Sequence, residues 1–561
     1  MKKIENFYRE DPHFKELMKH YLNKDFLEWA DPELDEFGEL CAGEIDERAM
    51  HTDREGQPRL IKYNRLGEEI SEIWVNEGYK KTVQQTYNKG IVGYIHKDIP
   101  ALGHKGNYVY SYAQGYLLSQ TEPGFYCPVT LSMATALLLE KYASDQVKKR
   151  FLPHVLSTGE VELYEGATFL TERQGGSDVG ANDTKAVKHG GDTYKLFGEK
   201  YFASNSGMCG VTMVLARIDG AGDGTKGLSL FAVPWRNDDG SLNGIHIRRL
   251  KDKLGVRAVP SAEVEFDGAE AYLVGEPNRG IYYMMEALNL SRVCNAVASI
   301  GIMRRAYLEA RNYAFYREAF GQPLTQYPMI KESLSRLAAK QEVETSAVFR
   351  LVHLFDRVVS EDIPTTEEES VLNRLLIAIL KKESAEQAIH FSHEAIEMHG
   401  GNGYIEDFVL PRLLRDAQVL TVWEGTANIL GLEVLRLMNK HRAHEYFLVK
   451  MKEELSNLPE ELLLFSTPVT EGIAKLEQLL EKVAVGDVDM QTYHSKRIAE
   501  LMANIFESVI ALKDAHTMGG DRKRMVAEVF IEHTWNQTEW IDEEMKSVRY
   551  FDDIVSVNIR V

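Results

Sequence analysis

Cysteine is scarce in this chain and never occurs in close pairs. The sequence has four cysteines, Cys41, Cys127, Cys209 and Cys294, with no CxxC spacing. This pattern argues against a disulfide scaffold and against a zinc site. It predicts reduced thiols that pack as small buried apolar side chains.

Long apolar runs are also missing. No uninterrupted stretch reaches the ~20 residues that a membrane helix needs. The first residues, MKKIENFYREDPHFKEL, place no apolar segment behind the lysine pair, so neither a secretory signal nor a transit peptide is evident. The sequence therefore predicts a cytoplasmic protein without a membrane span.

Positive charge is in the minority. The 65 Lys and Arg residues face 85 Asp and Glu residues, which gives a formal net charge of -20. Such a surface repels nucleic acid and anionic lipid unless a local basic patch exists. The hydrophobic fraction of 44% is that of an ordinary globular protein. A chain of 561 residues predicts roughly three to four domains.

Residue patterns change along the chain and indicate an α+β multidomain protein. Periodic apolar positions predict an N-terminal α domain, and alternating runs then predict a middle antiparallel β domain, as a sheet or small barrel. Helical periodicity returns as a C-terminal four-helix bundle, followed by an extra helical domain. The predicted boundaries are 1–165, 166–280, 281–440 and 441–561.

The same patterns predict individual elements. The segment EISEIWVNEGYKKTVQQTYNKG, at 69–90, is predicted as helix, and DGAGDGTKG, at 219–227, as a hairpin loop. Thr365 or Thr366 is the expected N-cap of the third bundle helix. The predicted bundle helices cover 281–319, 327–360, 367–398 and 406–440.

One carboxylate stands out as a candidate for chemistry. Glu424 lies between Trp423 and Gly425, just downstream of the run HGGNGY at 399–404. A carboxylate between an aromatic ring and a small residue that admits close approach suits removal of a weakly acidic carbon-bound proton. Glu424 is therefore the candidate general base.

Four segments, in order along the chain, resemble the acyl-CoA dehydrogenase family. They are TERQGGSDV, GEKYFASN, YAFYREAFGQPL, and HGGNGY followed by WEGTANI. The resemblance spans roughly residues 70 to 440. It is strongest to the AidB branch, because of CPVTLSMATALLL, RRLKDKLG and the extra C-terminal domain. It implies an FAD-dependent oxidoreductase of fatty acid and lipid metabolism.

The first two segments match the flavin site of the family. Glycines let backbone amides approach a ligand closely, and short hydroxyls donate hydrogen bonds. The resemblance implies that Phe202 stacks on the flavin and that Ser204 bonds its N5 atom, both from one face of a strand. The FAD-binding residues implied here are Thr171, Gly176, Ser177, Phe202 and Ser204.

The later segments match positions that hold FAD across a subunit contact. An arginine fork suits pyrophosphate oxygens, which is the role that the resemblance implies for Arg317. It further implies that glycines near residue 400 let the neighbouring subunit's cofactor approach, and so a homodimer or homotetramer. The implied positions are Arg317, Phe320, Gly400 and Gly401, with Thr426 and Asn428 beside the adenine half.

The family reaction removes a proton from the carbon α to a thioester and moves a hydride from the β carbon to flavin N5. The resemblance implies that Glu424 is the base in forming a trans-2-enoyl-CoA. A minority of relatives place the base just before a helix arginine that matches Arg292, but Ser291 stands there and cannot take the proton. The implied substrate-binding residues are Ser177, Ser291, Arg292 and Glu424, and no metal site is predicted.

Two other functions remain open. An acyl-CoA oxidase would pass electrons to oxygen instead of an electron-transfer flavoprotein, and the sequence does not separate the two. An AidB-like, DNA-associated protective flavoprotein would need a basic face. Within residues 441–561, the extra domain, the only dense basic run is Asp521-Arg522-Lys523-Arg524, which is typical of a solvated helix start and disfavours nucleic acid as a partner. The length and branching of the acyl chain are not determined.

Overall fold

The computed structural model describes residues 3–360, 363–535 and 545–556. Helices predominate. Their bounds are α1 Pro12–Tyr21, α2 Lys24–Leu40, α3 Asp46–Arg54, α4 Glu77–Asn88, α5 Tyr108–Ser119, α6 Pro123–Tyr142, α7 Asp145–Val155, α8 Gly280–Tyr316, α9 Pro328–Val359, α10 Glu367–His399, α11 Leu410–Leu420, α12 Ala427–His441, α13 Ala443–Ser456, α14 Glu460–Leu463, α15 Thr467–Ala484, α16 Val488–Thr517, α17 Asp521–Trp535, α18 Lys546–Arg549 and α19 Phe551–Val555.

Strands are concentrated in the middle of the chain. Their bounds are β1 Arg59–Tyr63, β2 Glu69–Trp74, β3 Asp98–Ile99, β4 His104–Lys105, β5 Glu165–Phe169, β6 Lys185–Gly190, β7 Thr193–Ser204, β8 Cys209–Ile218, β9 Leu228–Pro234, β10 Ile245–Leu250, β11 Ser261–Val274, β12 Glu318–Ala319 and β13 Gln322–Pro323. The pairs β1–β2, β3–β4 and β12–β13 form separate two-stranded sheets.

Residues 43–294 form one compact unit around a β domain. Strands β11, β7, β6, β8 and β9 pair in that order, and β9 returns to β11, so the ring closes as a small barrel. Most pairs are antiparallel, but β5 and β6 run parallel to β8. The predicted middle β domain is confirmed. The two parallel pairings were not predicted, because side chains alternate with the same period in both kinds of pairing.

The hairpin prediction at 219–227 is confirmed, since this segment joins β8 to antiparallel β9. The helix prediction for 69–90 is right for α4 and wrong for Glu69–Trp74, which is strand β2. β2 pairs with β1, and the Ser71 hydroxyl accepts a hydrogen bond of 3.1 Å from the Ile247 amide in β10. Pairing with neighbouring strands outweighs the local pattern here.

Residues up to 42 and from 295 onward form a second compact unit, in which α9, α10, α16 and α17 are long helices. The Thr366 hydroxyl accepts from the Glu369 amide at 3.1 Å, and the Glu369 carboxylate accepts from the Thr366 amide at 3.1 Å. This capping box confirms Thr366 as the N-cap. The single helix predicted over 406–440 is wrong, because a turn separates α11 from α12. The predicted four-domain division stays a prediction.

A buried ion cluster joins α9, α10 and α16 in this second unit. The ammonium of Lys340 lies 2.8 Å from Glu344, 3.0 Å from Glu383 and 2.7 Å from Glu507. Burial alone would lower the pKa of Lys340, but these three carboxylates raise it well above its usual range. The cluster thereby ties a helix of the region after residue 441 to two helices of the predicted bundle.

No disulfide joins the four cysteines, all of which the structure describes; three are buried and Cys127 is half-buried. The prediction that the cysteines pack as buried side chains is confirmed for Cys41, Cys209 and Cys294, and their reduced state stays a prediction. Across the described ranges, no helix is long and apolar enough to cross a lipid bilayer.

The carboxyl group of Glu165 is buried at the start of β5. The Tyr87 hydroxyl donates to it at 3.2 Å and also lies 2.8 Å from the Ser132 hydroxyl. Burial raises the pKa of Glu165 to about 8. Glu165 is therefore protonated in the folded protein at neutral pH, whereas the same carboxyl is ionised in the unfolded chain.

We expect Glu165→Gln to remove part of the pH dependence of stability. The wild-type contribution is fully present below the ordinary glutamate pKa and is lost as pH rises through about 8. An amide does not titrate. The free energy of unfolding of the variant, relative to wild type, should therefore increase by roughly 1 kcal/mol per pH unit as pH rises from the ordinary glutamate pKa to the raised one. Urea unfolding at several pH values measures this difference. Glu263→Gln, at a carboxyl whose pKa is lowered to about 2, is the control; a pH-independent difference for Glu165→Gln contradicts the argument.

Candidate active site

The segment after β5 is fixed by a buried ion pair in the unit of residues 43–294. The ammonium of Lys200, in β7, donates to the Glu172 carboxylate at 2.7 Å and to the Leu215 carbonyl at 2.9 Å. The Thr184 hydroxyl donates to the same carboxylate at 2.6 Å. Burial alone would raise the pKa of Glu172, but the Lys200 charge lowers it below its usual range. This ion pair anchors the loop of residues 170–184 on the barrel.

Thr171, Gly176 and Ser177 lie on this anchored loop. The Thr171 carbonyl accepts from the Tyr201 amide at 2.9 Å, so the loop is joined to β7. Gly175 has a φ of 109°, which favours glycine. A Cβ at Gly176 would lie only 2.7 Å from the Thr171 hydroxyl oxygen. Glycine at 176 thus keeps that hydroxyl open to a ligand, and Ser177 beside it is exposed.

Phe202 and Ser204 lie at the end of β7, where the register with β11 shifts. The ring of Phe202 is 57% exposed, although an apolar ring gains from burial. The Lys251 ammonium lies 4.8 Å from its centre, and the Tyr201 ring packs against it edge-on at 5.2 Å. The Ser204 hydroxyl lies 3.2 Å from that of Ser261. The pair offers a flat apolar face beside a hydroxyl.

Ser291 and Arg292 are buried on α8 within the same unit. The Arg292 guanidinium donates to the Asn289 side-chain carbonyl at 3.4 Å. Ser291 has no carboxylate to offer, so this position cannot act as a base near neutral pH.

Glu424 lies in the turn between α11 and α12, in the second unit. Its φ is 59°, in the left-handed region that non-glycine residues seldom adopt, and Gly425 follows with a φ of 109°. Two buried side chains hold the turn: Asn295 donates to the Leu420 carbonyl at 3.2 Å, and Lys381 to the Gly425 carbonyl at 2.7 Å. Strained backbone at a single carboxylate is typical of a functional position. Glu424 itself is half-buried.

Thr426 and Asn428 follow this turn at the start of α12. Thr426 is the N-cap residue, yet among the described residues its side chain makes no capping hydrogen bond. Both residues are exposed at the first turn of α12, where backbone amides have no partner within the helix. The polar start of α12 is therefore open to a ligand, as the resemblance implies for the adenine half of FAD.

Arg317 and Phe320 belong to the hairpin β12–β13. Phe320 occupies the tip with a φ of 51° and a side chain that is 98% exposed. The Tyr327 hydroxyl donates to the Ala319 carbonyl at 2.7 Å, which holds the hairpin against the start of α9. Arg317 is exposed at its base. The hairpin thus presents an aromatic ring and a guanidinium outward.

Gly400 and Gly401 form an exposed turn after α10. A Cβ at either position would meet nothing within 4 Å, and Gly400 has a φ of 59°. The neighbouring Asn402 donates to the Tyr313 hydroxyl at 3.1 Å, and the His399 ring stacks on Tyr313 at 4.0 Å. Tyr313 precedes the hairpin base by a few residues, so it links the glycine turn to the end of α8.

The predicted residues fall into two groups. Thr171, Gly176, Ser177, Phe202, Ser204, Ser291 and Arg292 belong to the unit of residues 43–294, and Glu424, Thr426, Asn428, Arg317, Phe320, Gly400 and Gly401 belong to the second unit.

Sequence reasoning missed the side chains that hold these residues in place. Lys200, Lys381 and Asn295 each donate to a loop that carries a predicted residue. The signal was available for Lys381, which follows the apolar run LLIAIL on a helix.

Comparisons with known proteins agree with these segments. The domain family described as acyl-CoA dehydrogenase, middle domain, matches residues 167–269, and the C-terminal domain of the same family matches 278–438. The adaptive response protein AidB N-terminal domain matches residues 2–159. Together these matches account for nearly all of the chain before residue 439.

Individual relatives extend the similarity. Acyl-CoA dehydrogenase family member 11 of Caenorhabditis elegans is 32% identical over 91% of this chain and 84% of its own. The putative acyl-CoA dehydrogenase AidB of Escherichia coli is 33% identical over 68% of this chain and 69% of its own. The crystal structure of C. elegans ACDH-11 in complex with C11-CoA is similar over 100% of this chain and 96% of that one, with a TM-score of 0.88 and 28% identity.

We expect Lys381→Met to loosen the turn that carries Glu424, because the Gly425 carbonyl loses its buried donor. Amide hydrogen exchange at residues 421–426 should become at least about tenfold faster, which corresponds to roughly 1.4 kcal/mol of local opening. Lys382→Met is the matched control, since the adjacent Lys382 is also buried but donates to Glu386. Equal acceleration in both variants would mean that Lys381 has no specific role in the turn.

Proposed function

Because this chain belongs to the acyl-CoA dehydrogenase family, we propose that it oxidises an acyl-CoA thioester to the trans-2-enoyl-CoA, with Glu424 as the base. The observation that carries this proposal is the left-handed turn at Glu424, which the buried Lys381 and Asn295 hold. A glycine would adopt this positive φ without strain and would join α11 to α12 equally well. A carboxylate at this strained position is best explained by a role in the reaction.

The reaction class and the cofactor follow from family membership alone. The resemblance to the acyl-CoA dehydrogenases and to the AidB branch is confirmed. The chain is accordingly an oxidoreductase, and its cofactor is FAD, which this family binds. The loop at Gly176, where a Cβ would crowd the Thr171 hydroxyl, and the exposed ring of Phe202 both fit a flat polar cofactor.

The proposed reaction breaks two carbon–hydrogen bonds. Bound FAD supplies the hydride acceptor for the β carbon. Glu424 takes the α proton onto its carboxylate, so that the electron pair of the α carbon–hydrogen bond becomes the new double bond as the hydride leaves. Phe202 provides a face for the cofactor ring, and the Ser204 hydroxyl a donor at its edge. Arg292 and Ser177 are assigned to the acyl-CoA.

A DNA-associated flavoprotein and an acyl-CoA oxidase are the two alternatives to this proposal. For a DNA-associated flavoprotein, the basic run at 522–524 should offer free cations. Instead, Arg522 and Lys523 both donate to Glu342 at 2.7 Å, and Arg524 donates to Glu528 at 2.7 Å. The run therefore contributes little to a nucleic-acid surface.

An electron-transfer flavoprotein, rather than oxygen, is the proposed electron acceptor. Release of hydrogen peroxide in the presence of an electron-transfer flavoprotein would instead indicate an oxidase.

A homodimer or homotetramer is the proposed assembly. The side chain of Phe320, at the hairpin tip, is 98% exposed. Burying it against a second copy would lower the free energy of the assembly. Arg317 at the base of the same hairpin would then reach the pyrophosphate of the FAD in that copy, and Gly400 and Gly401 would let its cofactor approach the backbone. The cytoplasmic location stays a prediction from the sequence.

We expect Glu424→Gln to retain FAD and to lose flavin reduction by acyl-CoA. Replacing a general base by an amide costs roughly 10²–10⁴-fold in the rate of the chemical step. Stopped-flow absorbance of the flavin measures this rate, and C11-CoA is the first substrate to test because the ACDH-11 structure contains it. Glu445→Gln, at an exposed carboxylate paired with Arg442, is the control. Reduction of Glu424→Gln at the wild-type rate would falsify the assignment of the base.

We expect Phe320→Asp to shift the protein toward the monomer and to lower its FAD content together, because a charge at the hairpin tip opposes burial between copies. Light scattering and the ratio of flavin to protein absorbance measure the two effects. Leu66→Asp, at a side chain that is 83% exposed in the other unit, is the control. An unchanged mass with full FAD occupancy contradicts the shared site, whereas the test of Glu424 is unaffected by this outcome.

A further inference from the structure

Two serines face each other where β7 ends and β11 begins. Ser204 is the last residue of β7, and Ser261 is its direct partner in the antiparallel pairing with β11. Side chains of residues that are paired in this way lie on the same face of a sheet. The two hydroxyl oxygens are 3.2 Å apart. Ser261 is only 5% exposed, whereas Ser204 is half-buried, so Ser204 is the one of the pair that is open to a ligand.

Lys253 reaches Ser261 from the loop that joins β10 to β11. Its ammonium donates to the Val256 carbonyl at 2.8 Å and to the Val259 carbonyl at 2.6 Å. It also donates to the hydroxyl oxygen of Ser261 at 3.3 Å. An ammonium has protons and no lone pair, so it can only donate. The Ser261 oxygen is therefore the acceptor in this contact, and the proton of Ser261 points elsewhere.

The burial of Ser261 decides where that proton goes. A hydroxyl has one proton to donate and two lone pairs. Among the described residues, the acceptor within reach of the Ser261 proton is the Ser204 oxygen. If Ser204 donated to Ser261 instead, the Ser261 proton would be buried without an acceptor, which is the costly arrangement. Ser261 therefore donates to Ser204, and the proton of Ser204 points outward.

We propose that Lys253 and Ser261 are positioning residues, which fix the Ser204 hydroxyl as a hydrogen-bond donor toward the N5 atom of bound FAD. This inference rests on the proposed function, in which Ser204 meets that edge of the cofactor ring. The N5 atom of oxidised flavin has a lone pair and no proton, so it is complementary to a donor and not to an outward-facing lone pair. A hydroxyl that is already oriented loses little further freedom when the ring binds. Lys253 and Ser261 thus act through Ser204 and not on the reacting atoms.

FAD labelled with ¹⁵N at N5 reports this contact directly, because a donated hydrogen bond moves the N5 resonance upfield. We expect Ser204→Ala to move the resonance of the bound cofactor downfield, and Ser261→Ala to move it in the same direction. Ser206→Ala is the matched control. Ser206 is buried in the turn that follows β7, but its hydroxyl donates to the Ala203 carbonyl at 2.8 Å, so the wild-type resonance should be kept. A wild-type resonance in Ser261→Ala overturns the proposal.

Lys253→Met removes the donor that sets the direction of the chain and should move the N5 resonance downfield as well. If Lys253→Met does not fold, because the carbonyls of its loop also lose their donor, Ser261→Ala carries the test alone. A folded Lys253→Met with the wild-type resonance overturns the role of Lys253.

The affinity for FAD separates an effect through Ser204 from a general loosening of the sheet. We expect Ser261→Ala to raise the Kd of FAD by at least about threefold, which corresponds to one modest hydrogen bond. In a Ser204→Ala background the same substitution should have no further effect, because the two hydroxyls belong to one chain of hydrogen bonds. Fluorescence titration of the apoprotein measures both values. Effects that multiply in the double variant overturn the proposal.

These measurements need no acyl-CoA, so their outcome does not depend on the base. A Glu424→Gln variant that is reduced at the wild-type rate overturns the proposed function and leaves the orientation of Ser204 in place. A wild-type N5 resonance in Ser261→Ala overturns the orientation alone. A wild-type protein that binds no FAD overturns both.

Discussion

Every buried cation needs an acceptor, and this requirement organises the protein at several places. A cation removed from water is stable only when carboxylates or carbonyls replace the lost hydration. Lys200 meets the need with Glu172 and thereby anchors the loop of Thr171 and Gly176. Lys381 meets it with the Gly425 carbonyl and thereby holds the Glu424 turn. Lys340 meets it with three carboxylates and joins helices of the bundle to the region that follows it.

These contacts hold in place the segments that carry the proposed site residues. A catalytic carboxylate is effective when the backbone beside it does not move, and neither Glu424 nor the loop at Thr171 relies on regular secondary structure for its position. Buried lysines supply the constraint from the neighbouring helix or strand.

Two exposed aromatic rings mark the surfaces proposed to contact the cofactor and a second copy of the chain. Phe202 and Phe320 are large apolar side chains that the fold leaves in water, one on the barrel and one at a hairpin tip. Folding gains nothing from them in the isolated chain. Under the proposed function, the FAD ring would cover Phe202 and a second copy of the chain would cover Phe320.

The sequence by itself determined the β domain between helical regions, the N-cap at Thr366 and the family, because alternation, capping residues and ordered motifs are local properties of the chain. It also predicted Glu424, but not its turn, and it treated 406–440 as one helix. Only the tertiary structure decided that β2 is a strand, that the barrel closes through β9, and which lysines hold the loops. Each of these depends on partners far away in sequence, and neither propensity nor spacing reports which buried donor meets which carbonyl.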